Sequence, residues 1–521
     1  MTSAPPAVDA GHQGHLEKFA RRGTASVLSA GFSAVFGVLL VGIVTNGFTP
    51  SLAGTLFAAT SAFLILEAVA LLGTDTGLVR LLPVQLASGR LADLRRTLVV
   101  SAVPVLGLSL GLAAALYVGA EPLAPVLVGA EAAPTMAVML RALALVLPVA
   151  TLNALVVAAT RGMGTMRPTV VVENIGRHAF QALAVLVVYL TGGGALALAL
   201  AWSLPYFLSL AIASGWLRVL LTRRTTASGV PTSWTTVASE FWAYTAPRAI
   251  ARIIQAGLKR SDIVLVAALA SPADAALYTA ATRFIVLGQL FIQSVQQALS
   301  PHLSALFARG ENGAANSVFQ AATRWSMIGA WPFYLVTAAF APILLDLFGD
   351  GYDAASDVVV ILSLTMLVAT ACGPVDAVLL MAGRSWLSLR NNVVALAVNL
   401  GLSVALIPVA GLRGAAIAHA VAIVVRNLLP LVQVRRHLAM WPVTRVAVQV
   451  GLLAVGCFGG AGVVAVVAGF PAAVDAGLLC VSTLVYLSCV WSWRARLGLD
   501  AFRSALRRRP ARQTRPLATE V

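Results

Sequence analysis

Charged side chains are scarce in this sequence. Only 11% of its 521 residues are Asp, Glu, Lys or Arg, whereas 59% are hydrophobic. A soluble globular protein carries about 25% charged residues. A chain this long and this apolar has too few polar groups to cover a surface that faces water, so the composition excludes an ordinary soluble protein. We predict that a lipid bilayer is its solvent.

Motifs of the common enzyme classes are also missing. The two lysines, Lys18 and Lys259, do not follow a glycine-rich loop, so there is no Walker A motif and ATP hydrolysis is not expected. No His/Cys cluster has metal-ligand spacing, and the loops lack paired carboxylates suited to glycosyl transfer. We therefore expect no catalytic residue, no metal, no cofactor and no enzymatic activity. The four cysteines lie in apolar runs and are interpreted as packing residues: Cys372, Cys457, Cys480 and Cys489.

Long apolar segments recur along the whole chain. A membrane-spanning helix needs about 20 mostly apolar residues, and fourteen segments meet this description. We therefore predict an all-α polytopic membrane protein with about fourteen transmembrane helices. The segments cover residues 24–46, 51–72, 97–119, 134–158, 167–190, 194–219, 239–269, 273–305, 318–346, 354–382, 387–408, 412–436, 443–469 and 472–494.

The positive charges are distributed unevenly between the loops. The net charge of +16 would suggest a nucleic-acid partner in a soluble protein, but these cations lie mostly in short loops and in the tail, so we expect no such partner. If the N-terminus is cytoplasmic, the cytoplasmic segments hold 27 of the 36 Lys and Arg residues, and the opposite loops hold one, Arg413. We therefore predict cytoplasmic N- and C-termini and a retained first helix instead of a signal peptide.

Short motifs recur at a nearly constant offset. Ala58-Ala59-Thr60 recurs as Ala280-Ala281-Thr282, and Gly162 maps onto Gly383. We interpret the chain as two pseudo-symmetric six-helix lobes plus two C-terminal helices, with a substrate site in the gap between the lobes. The predicted units are a cytoplasmic N-terminal segment (1–23), an N-lobe (24–219), a cytoplasmic linker (220–238), a C-lobe (239–436), two further spans (437–494) and a basic cytoplasmic tail (495–521) that lies against anionic lipid headgroups.

The seventh span carries an unusual stripe of polar side chains. Its members fall at positions i, i+4, i+7, i+11 and i+14, which share one face of a helix: Arg248, Arg252, Gln255, Lys259 and Asp262. Charges at bilayer depth are costly and usually face a cavity or a partner. We interpret the stripe as a cationic wall that holds an anionic group, because cations outnumber the local acids. The alternative is a structural stripe of ion pairs between helices.

Other polar residues in the spans are candidates for substrate or ion binding. Arg283 and the amides of Gln289, Gln293 and Gln296 suit a ligand rich in hydroxyl groups, although amides also form interhelical hydrogen bonds. Arg177 and Glu173 have i, i+4 spacing and could simply pair, while Arg141 and Arg426 are secondary cation candidates whose default is snorkelling or a structural partner. The candidates for a coupling ion are Glu67, Glu173, Asp262 and Asp376, the last beside a helix break expected at Gly373-Pro374.

Several motifs resemble those of a known superfamily. The chain opens with Glu17-Lys18-Phe19-Ala20-Arg21-Arg22-Gly23, and its second half contains Leu347-Phe348-Gly349-Asp350-Gly351-Tyr352. The most specific motif, Pro408-Val409-Ala410-Gly411-Leu412-Arg413-Gly414-Ala415-Ala416, precedes a span. This pattern resembles the polysaccharide-export proteins and Wzx-type flippases of the multidrug/oligosaccharidyl-lipid/polysaccharide (MOP) superfamily.

The resemblance implies a function and a location. It implies a flippase that moves a polyprenyl-diphosphate-linked oligosaccharide from the cytoplasmic to the outer leaflet of a bacterial cytoplasmic membrane by alternating access. The diphosphate would bind in a cationic central cavity, and glycan synthesis or polymerisation proteins would be partners. Two alternatives stay open: an ion-coupled antiporter of drugs or organic cations from the same superfamily, and a membrane glycan polymerase or ligase.

Overall fold

The computed structural model describes residues 31–223, 232–468 and 471–497. The predicted N-terminal segment, most of the basic tail and residues 224–231 of the predicted linker lie outside this part of the chain, and within it we find helices and no strand. The helices are α1 (Gly31–Gly47), α2 (Pro50–Ala70), α3 (Thr74–Ala87), α4 (Asp93–Val118), α5 (Ala120–Gly162), α6 (Pro168–Leu190), α7 (Ala195–Thr222), α8 (Trp234–Leu269), α9 (Pro272–Ala308), α10 (Asn312–Ala339), α11 (Tyr352–Met381), α12 (Ser385–Leu438), α13 (445–468) and α14 (Ala472–Ser492).

Every predicted span contains helix in the described part of the chain. Ten of these helices are long and apolar enough to cross a membrane, and α10 becomes an eleventh if it is joined to Ala341–Phe348, from which it is bent by 90°. α8 is not among them because charged side chains interrupt its apolar sequence. The all-α membrane fold is thus confirmed, whereas the count of fourteen crossings stays a prediction.

Two of the long helices fold back on themselves at a glycine. Gly411 has φ +54° within α12, and the side chains of Asn391 and Gln433 exchange two hydrogen bonds of 2.8 Å. A straight helix would separate those residues by about 60 Å, so α12 is a hairpin of two arms. Gly129 (φ +76°) bends α5 in the same way.

Two local features differ from the sequence interpretation, and a third agrees with it. The segment Glu121–Pro134 separates two predicted spans, 97–119 and 134–158, and is expected to be a linker outside the membrane. It is instead helical and belongs to α5, because its prolines and acids are accommodated beside the bend at Gly129. The amphipathic helix α3 lies in a predicted loop. The expected break in α11 is confirmed: Gly373 has φ +70°, and a new helical segment begins after Pro374.

Side chains divide between a buried core and an apolar outer surface. The main core draws on both halves of the chain and includes Leu56, Leu140 and Tyr334, each at most 1% exposed. Large aliphatic side chains on the outside of the bundle are exposed, for example Val103 (63% exposed) and Leu484 (68% exposed). Such exposure is stable where lipid replaces water, because apolar side chains are not penalised by contact with hydrocarbon. The helices also satisfy their own backbone hydrogen-bonding groups there.

The two halves of the chain pack together near both ends of the bundle. At the end that the charge pattern places outside, α2 and α9 lie so close that a Cβ atom on Gly54 would overlap the carbonyl oxygen of Pro272. At the opposite end, the loop before α4 contacts α8: Arg90 Nη2 donates to Glu240 Oε2 at 3.0 Å, and the Asp93 carboxylate accepts hydrogen bonds of 2.8 and 2.6 Å from Thr232. The candidate site lies between these two contacts.

Candidate functional site

Two adjoining cavities lie where helices of the two halves meet. The Arg283 cavity, about 170 Å³, is bounded by α1, α2, α6, α7, α8 and α9, and the Lys259 cavity, about 210 Å³, by α2, α5 and α8. Leu64 and Arg260 line both, so the cavities are neighbours along α8. The polar residues on their walls are Thr60, Ser61, Arg177, His178, Gln181, Tyr206, Arg260, Thr279 and Arg283 in the first, and Glu67, Arg252, Gln255, Lys259 and Arg260 in the second.

Arg177 in the Arg283 cavity is held by a complete set of partners. Its Nε lies 2.7 Å from Glu173 Oε1, its Nη1 donates to Gln181 Oε1 at 3.1 Å, and its guanidinium stacks on the Tyr206 ring at 4.6 Å. Glu173 also accepts a hydrogen bond of 2.8 Å from Asn153. The charge of Arg177 is therefore balanced by Glu173, and its geometry is fixed.

Arg260 and Arg283 are not balanced in this way. The Nε of Arg283 donates to the backbone carbonyl of Thr279 at 3.2 Å. Within residues 31–223, 232–468 and 471–497, no carboxylate oxygen lies within 4.0 Å of either guanidinium. A partly buried guanidinium without a carboxylate partner favours a bound anion, and its planar donor fork matches phosphate oxygens.

The Lys259 cavity is also dominated by cations. Arg252 Nε lies 3.2 Å from Asp75 Oδ2, so this arginine is paired with an acid of α3 that lines neither cavity. In the described chain, no carboxylate lies within ion-pair distance of Lys259. The positive charges of Arg252, Arg260 and Arg426 lie close enough to repel its ammonium group. Glu67 is the single carboxylate on the walls of the two cavities. Together the cavities have an excess of positive charge and can hold an anionic group.

The structure brings together part of the predicted site. Arg252, Gln255, Lys259 and Arg283 line the cavities, as do Arg177 and Glu67 from the secondary and ion-coupling candidates. Arg248 lies outside them, exposed, with its guanidinium 5.4 Å from the Tyr244 ring. The amides that line neither cavity are Gln289, Gln293 and Gln296.

The remaining candidates lie elsewhere in the bundle. Arg141 pairs with Glu121 at 2.8 Å near the bend of α5, at an exposed position. Glu173 stands behind Arg177, and Asp376 accepts a hydrogen bond of 2.5 Å from Ser388 Oγ. Asp262 is turned away from the cavities toward α12, where it contacts His419. The predicted common face of α8 therefore divides between the cavities and a separate buried contact.

Seven polar residues on the cavity walls were not among the predicted site residues, and Arg260 is the most important of them. Arg260 follows Lys259 directly and falls outside the i, i+4, i+7 pattern, yet it lines both cavities because α2 and α9 flank this part of α8. A cation in the middle of a predicted span is itself a sign of a functional site, and this sign applies to Arg260. His178, Gln181 and Tyr206 carried no comparable signal, since isolated polar residues in a span usually bond to a neighbouring helix.

Solved structures with the same architecture define the class of the fold. The lipid II flippase MurJ in an inward closed conformation superimposes with a TM-score of 0.71 at 12% identity, over 90% of this chain and 99% of MurJ. An inward-facing multidrug resistance transporter of the MATE family and MOP superfamily gives 0.64 at 17% identity, over 78% and 94%. A MOP superfamily transporter from Pyrococcus furiosus, described as having a binding pocket of reverse polarity, gives 0.53 at 16% identity, over 81% and 95%.

These likenesses show that the chain has the same fold as these transporters. The chain belongs to the polysaccharide biosynthesis protein family, whose sequence model matches residues 92–357, just over half of its length. No curated protein sequence matches the chain. The resemblance drawn from the motifs is therefore confirmed.

Proposed function

We propose that this protein is a flippase for a polyprenyl-diphosphate-linked oligosaccharide or polysaccharide precursor. It would carry the headgroup from the cytoplasmic to the outer leaflet by alternating access and would not act as an enzyme. Membership of the polysaccharide biosynthesis protein family supports a role with glycans, and the fold shared with MurJ supports lipid transport. We further propose the bacterial cytoplasmic membrane as its location, cytoplasmic termini, and the two-lobe organisation around the cavities.

The excess of cations in the two cavities carries this proposal. In the described chain, no carboxylate pairs with Arg260, Arg283 or Lys259. The cations on the cavity walls outnumber the one carboxylate there, Glu67. A diphosphate brings at least two negative charges to one place, which matches adjacent unpaired cations on α8 and α9. The diphosphate would bind at Arg260 and Arg283, with Lys259 and Arg252 on the cytoplasmic side and the glycan beyond them.

The test is a flipping assay in proteoliposomes. The probe is a polyprenyl diphosphate that carries one fluorescent sugar, and a membrane-impermeant quencher reports its leaflet. We expect Arg260→Gln and Arg283→Gln each to slow flipping roughly ten- to hundredfold, because a hydrogen bond to a charged group contributes about 1.5–3 kcal/mol. Arg436→Gln, on an exposed arginine at the end of α12, is the matched control and keeps the wild-type rate.

Other outcomes would change the conclusion. Flipping at the wild-type rate in both cavity variants would keep the function and move the headgroup site elsewhere. The second candidate is an ion-coupled antiporter of organic cations, which the MATE-type fold and the carboxylate of Glu67 favour. Failure to flip the probe, combined with efflux of a cationic dye that Glu67→Gln abolishes, would establish that alternative in place of the flippase.

A further inference from the structure

A buried contact between a carboxylate and an imidazole joins α8 to the hairpin α12. The Nδ1 of His419 lies 2.6 Å from Asp262 Oδ2, and Asn399 Nδ2 donates to Asp262 Oδ1 at 2.5 Å. The Asp262 side chain is 7% exposed and that of His419 is 20% exposed. Neither residue lines the two cavities. Among the ion pairs of the described residues, this one alone contains a histidine.

The chemistry of this contact allows one proton to bind or leave. With a neutral imidazole the pair carries a net charge of −1, and with a protonated imidazole its net charge is zero. Both carboxylate oxygens already have a partner, so the imidazole is the group that changes state. Histidine is the side chain whose ordinary titration range lies nearest to neutral pH, and burial penalises the state with a net charge.

The surroundings of the pair connect it to the cationic cavities. The titratable and charged groups that face it are Tyr278 from α9 and Arg426 from α12, with the neutral amide of Asn399 beside them. In the described chain, the positive charge of Arg426 interacts electrostatically with both His419 and Lys259. Lys259 itself stands one helical turn before Asp262. A change of charge at the pair therefore changes the field at the cations of the Lys259 cavity.

We propose that Asp262 and His419 form a proton-binding site whose occupancy is linked to binding of the anionic headgroup, an inference that rests on the proposed flippase function. When the proton leaves, the pair becomes negative and competes with the headgroup for Arg426 and Lys259. When the proton binds, the pair is neutral and no longer attracts those cations, so the positive field at the Lys259 cavity is available to the anionic headgroup. Because linkage is reciprocal, headgroup binding promotes proton uptake to the same extent.

The occupant is a proton and not a metal cation. A monovalent metal ion on Asp262 would need the carboxylate oxygen that the imidazole already contacts. The imidazole also places a nitrogen atom, not an oxygen ligand, at that position, and hard cations take oxygen ligands. Dependence of binding on sodium is therefore an outcome that the test must separate from dependence on pH.

The test measures proton uptake when a headgroup probe binds to the purified full-length chain. Farnesyl diphosphate is titrated calorimetrically in two phosphate-free buffers that differ in ionisation enthalpy, over a range of pH. We expect the wild type to take up as much as one proton more than His419→Gln, and its affinity to fall about tenfold per pH unit above the transition. The difference between proteins is the measure, because the probe also titrates near neutral pH.

Two further variants make the result decisive. Asp262→Asn keeps the shape of the side chain and is expected to lose the extra proton and the added pH dependence as well. His437→Gln, on an exposed histidine at the end of α12, is the control and retains both. Thermal unfolding of each variant separates lost linkage from lost fold, and if one pair variant does not fold, the other decides.

The outcomes also separate this inference from the proposed function. If the wild type binds the probe with the same proton uptake as His419→Gln, the proposed link between proton and headgroup binding is wrong, while the proposed anion site is retained. An affinity that follows sodium concentration and ignores pH would replace the proton site by a metal-cation site. If the wild type does not bind the probe at any pH, the flippase proposal itself fails.

Discussion

The Arg177–Glu173 pair shows how an acidic residue can stabilise an arginine on the wall of the Arg283 cavity. The two side chains are only 10% and 21% exposed and lie 2.7 Å apart. Removing one partner from a buried pair leaves an uncompensated charge, which typically costs about 3–5 kcal/mol. The pair thus lets an arginine line the cavity without adding to its net charge.

We expect Glu173→Gln to destabilise the protein by about 3 kcal/mol, because Arg177 then stays buried without its carboxylate. The measurement is the apparent melting temperature of the purified protein in detergent. The double variant Glu173→Gln with Arg177→Gln should recover part of this loss. Asp357→Asn, which removes one partner of the exposed Arg413–Asp357 pair, is the control and should cost less than about 1 kcal/mol. Equal losses for Glu173→Gln and Asp357→Asn would contradict this account.

Sequence reasoning at the residue scale identified the types of side chain but not all of their neighbours. The i, i+4 spacing of Glu173 and Arg177 predicted their pairing, which the structure shows. Arg248 and Arg260 show the limit: spacing placed Arg248 on the cationic face and left out Arg260, whereas the cavities show the reverse. A helical period specifies which residues share a face, but the packing of α2, α5 and α9 around α8 decides which parts of it are open.

At the scale of single helices, close contact between α2 and α9 depends on a missing side chain. A Cβ atom on Gly54 would overlap the carbonyl oxygen of Pro272. Helix α9 begins at that proline, and Ser271 Oγ accepts a hydrogen bond of 3.0 Å from the Asp274 N–H, which fixes the helix start. Small residues are enriched where membrane helices pack closely. We interpret Gly54 as the contact that closes the outer end of the bundle.

We expect Gly54→Ala to separate α2 from α9 and to open the Arg283 cavity toward the outer side. A cysteine at Thr60, which lines that cavity, would then react faster with a membrane-impermeant maleimide in a background without native cysteines. Gly107→Ala is the matched control, since a Cβ atom there meets no atom within 4 Å. An unchanged labelling rate for Gly54→Ala would mean that this contact does not close the outer end.

Helices were predictable from sequence to the extent that they were long and apolar. The apolar runs marked all ten helices of the described residues that are long and apolar enough to cross a membrane, because a bilayer demands about 20 such residues per crossing. Helix α3 was missed because it has 14 residues and carries Asp75 and Arg80, so neither its length nor its composition resembled a span. The hairpin bend of α5 lies between two apolar runs, so the hydropathy pattern predicts a linker there and does not show that the helix continues up to the bend.

At the scale of the whole molecule, polar contacts close the end that the charge pattern places in the cytoplasm. Arg90 bonds both to Asp93 at 2.8 Å and to Glu240 at 3.0 Å, and Asp93 accepts two hydrogen bonds from Thr232. Hydrogen bonds to Glu240 and Asp93 raise the pKa of Arg90 above its ordinary value. The proposed alternating access requires this contact to break, so its strength would set how often the cavities open on that side.

We expect Arg90→Gln to raise cytoplasmic access to the Lys259 cavity about fivefold, because a partly exposed ion pair contributes up to about 1 kcal/mol. The reporter is a cysteine at Ala256, which lines that cavity, in the background without native cysteines. Glu240→Gln should act similarly, and the double variant should add little. Arg309→Gln, which breaks the exposed Arg309–Glu311 pair, is the control. If Arg90→Gln changed the labelling rate no more than Arg309→Gln does, the contact would not be a gate.

The tight reversal at Gly411 has a consequence for the proton site. A Cβ atom on Gly414 would overlap the carbonyl oxygen of Leu406, so the two arms of α12 meet with almost no loop between them. Asn399 and His419 stand on opposite arms and reach the same carboxylate. With no slack in the connection, one residue more or fewer at the turn would rotate His419 by about 100° around its arm. The length of the turn thus fixes how the second arm of α12 is rotated about its axis, and this rotation decides whether the imidazole contacts Asp262.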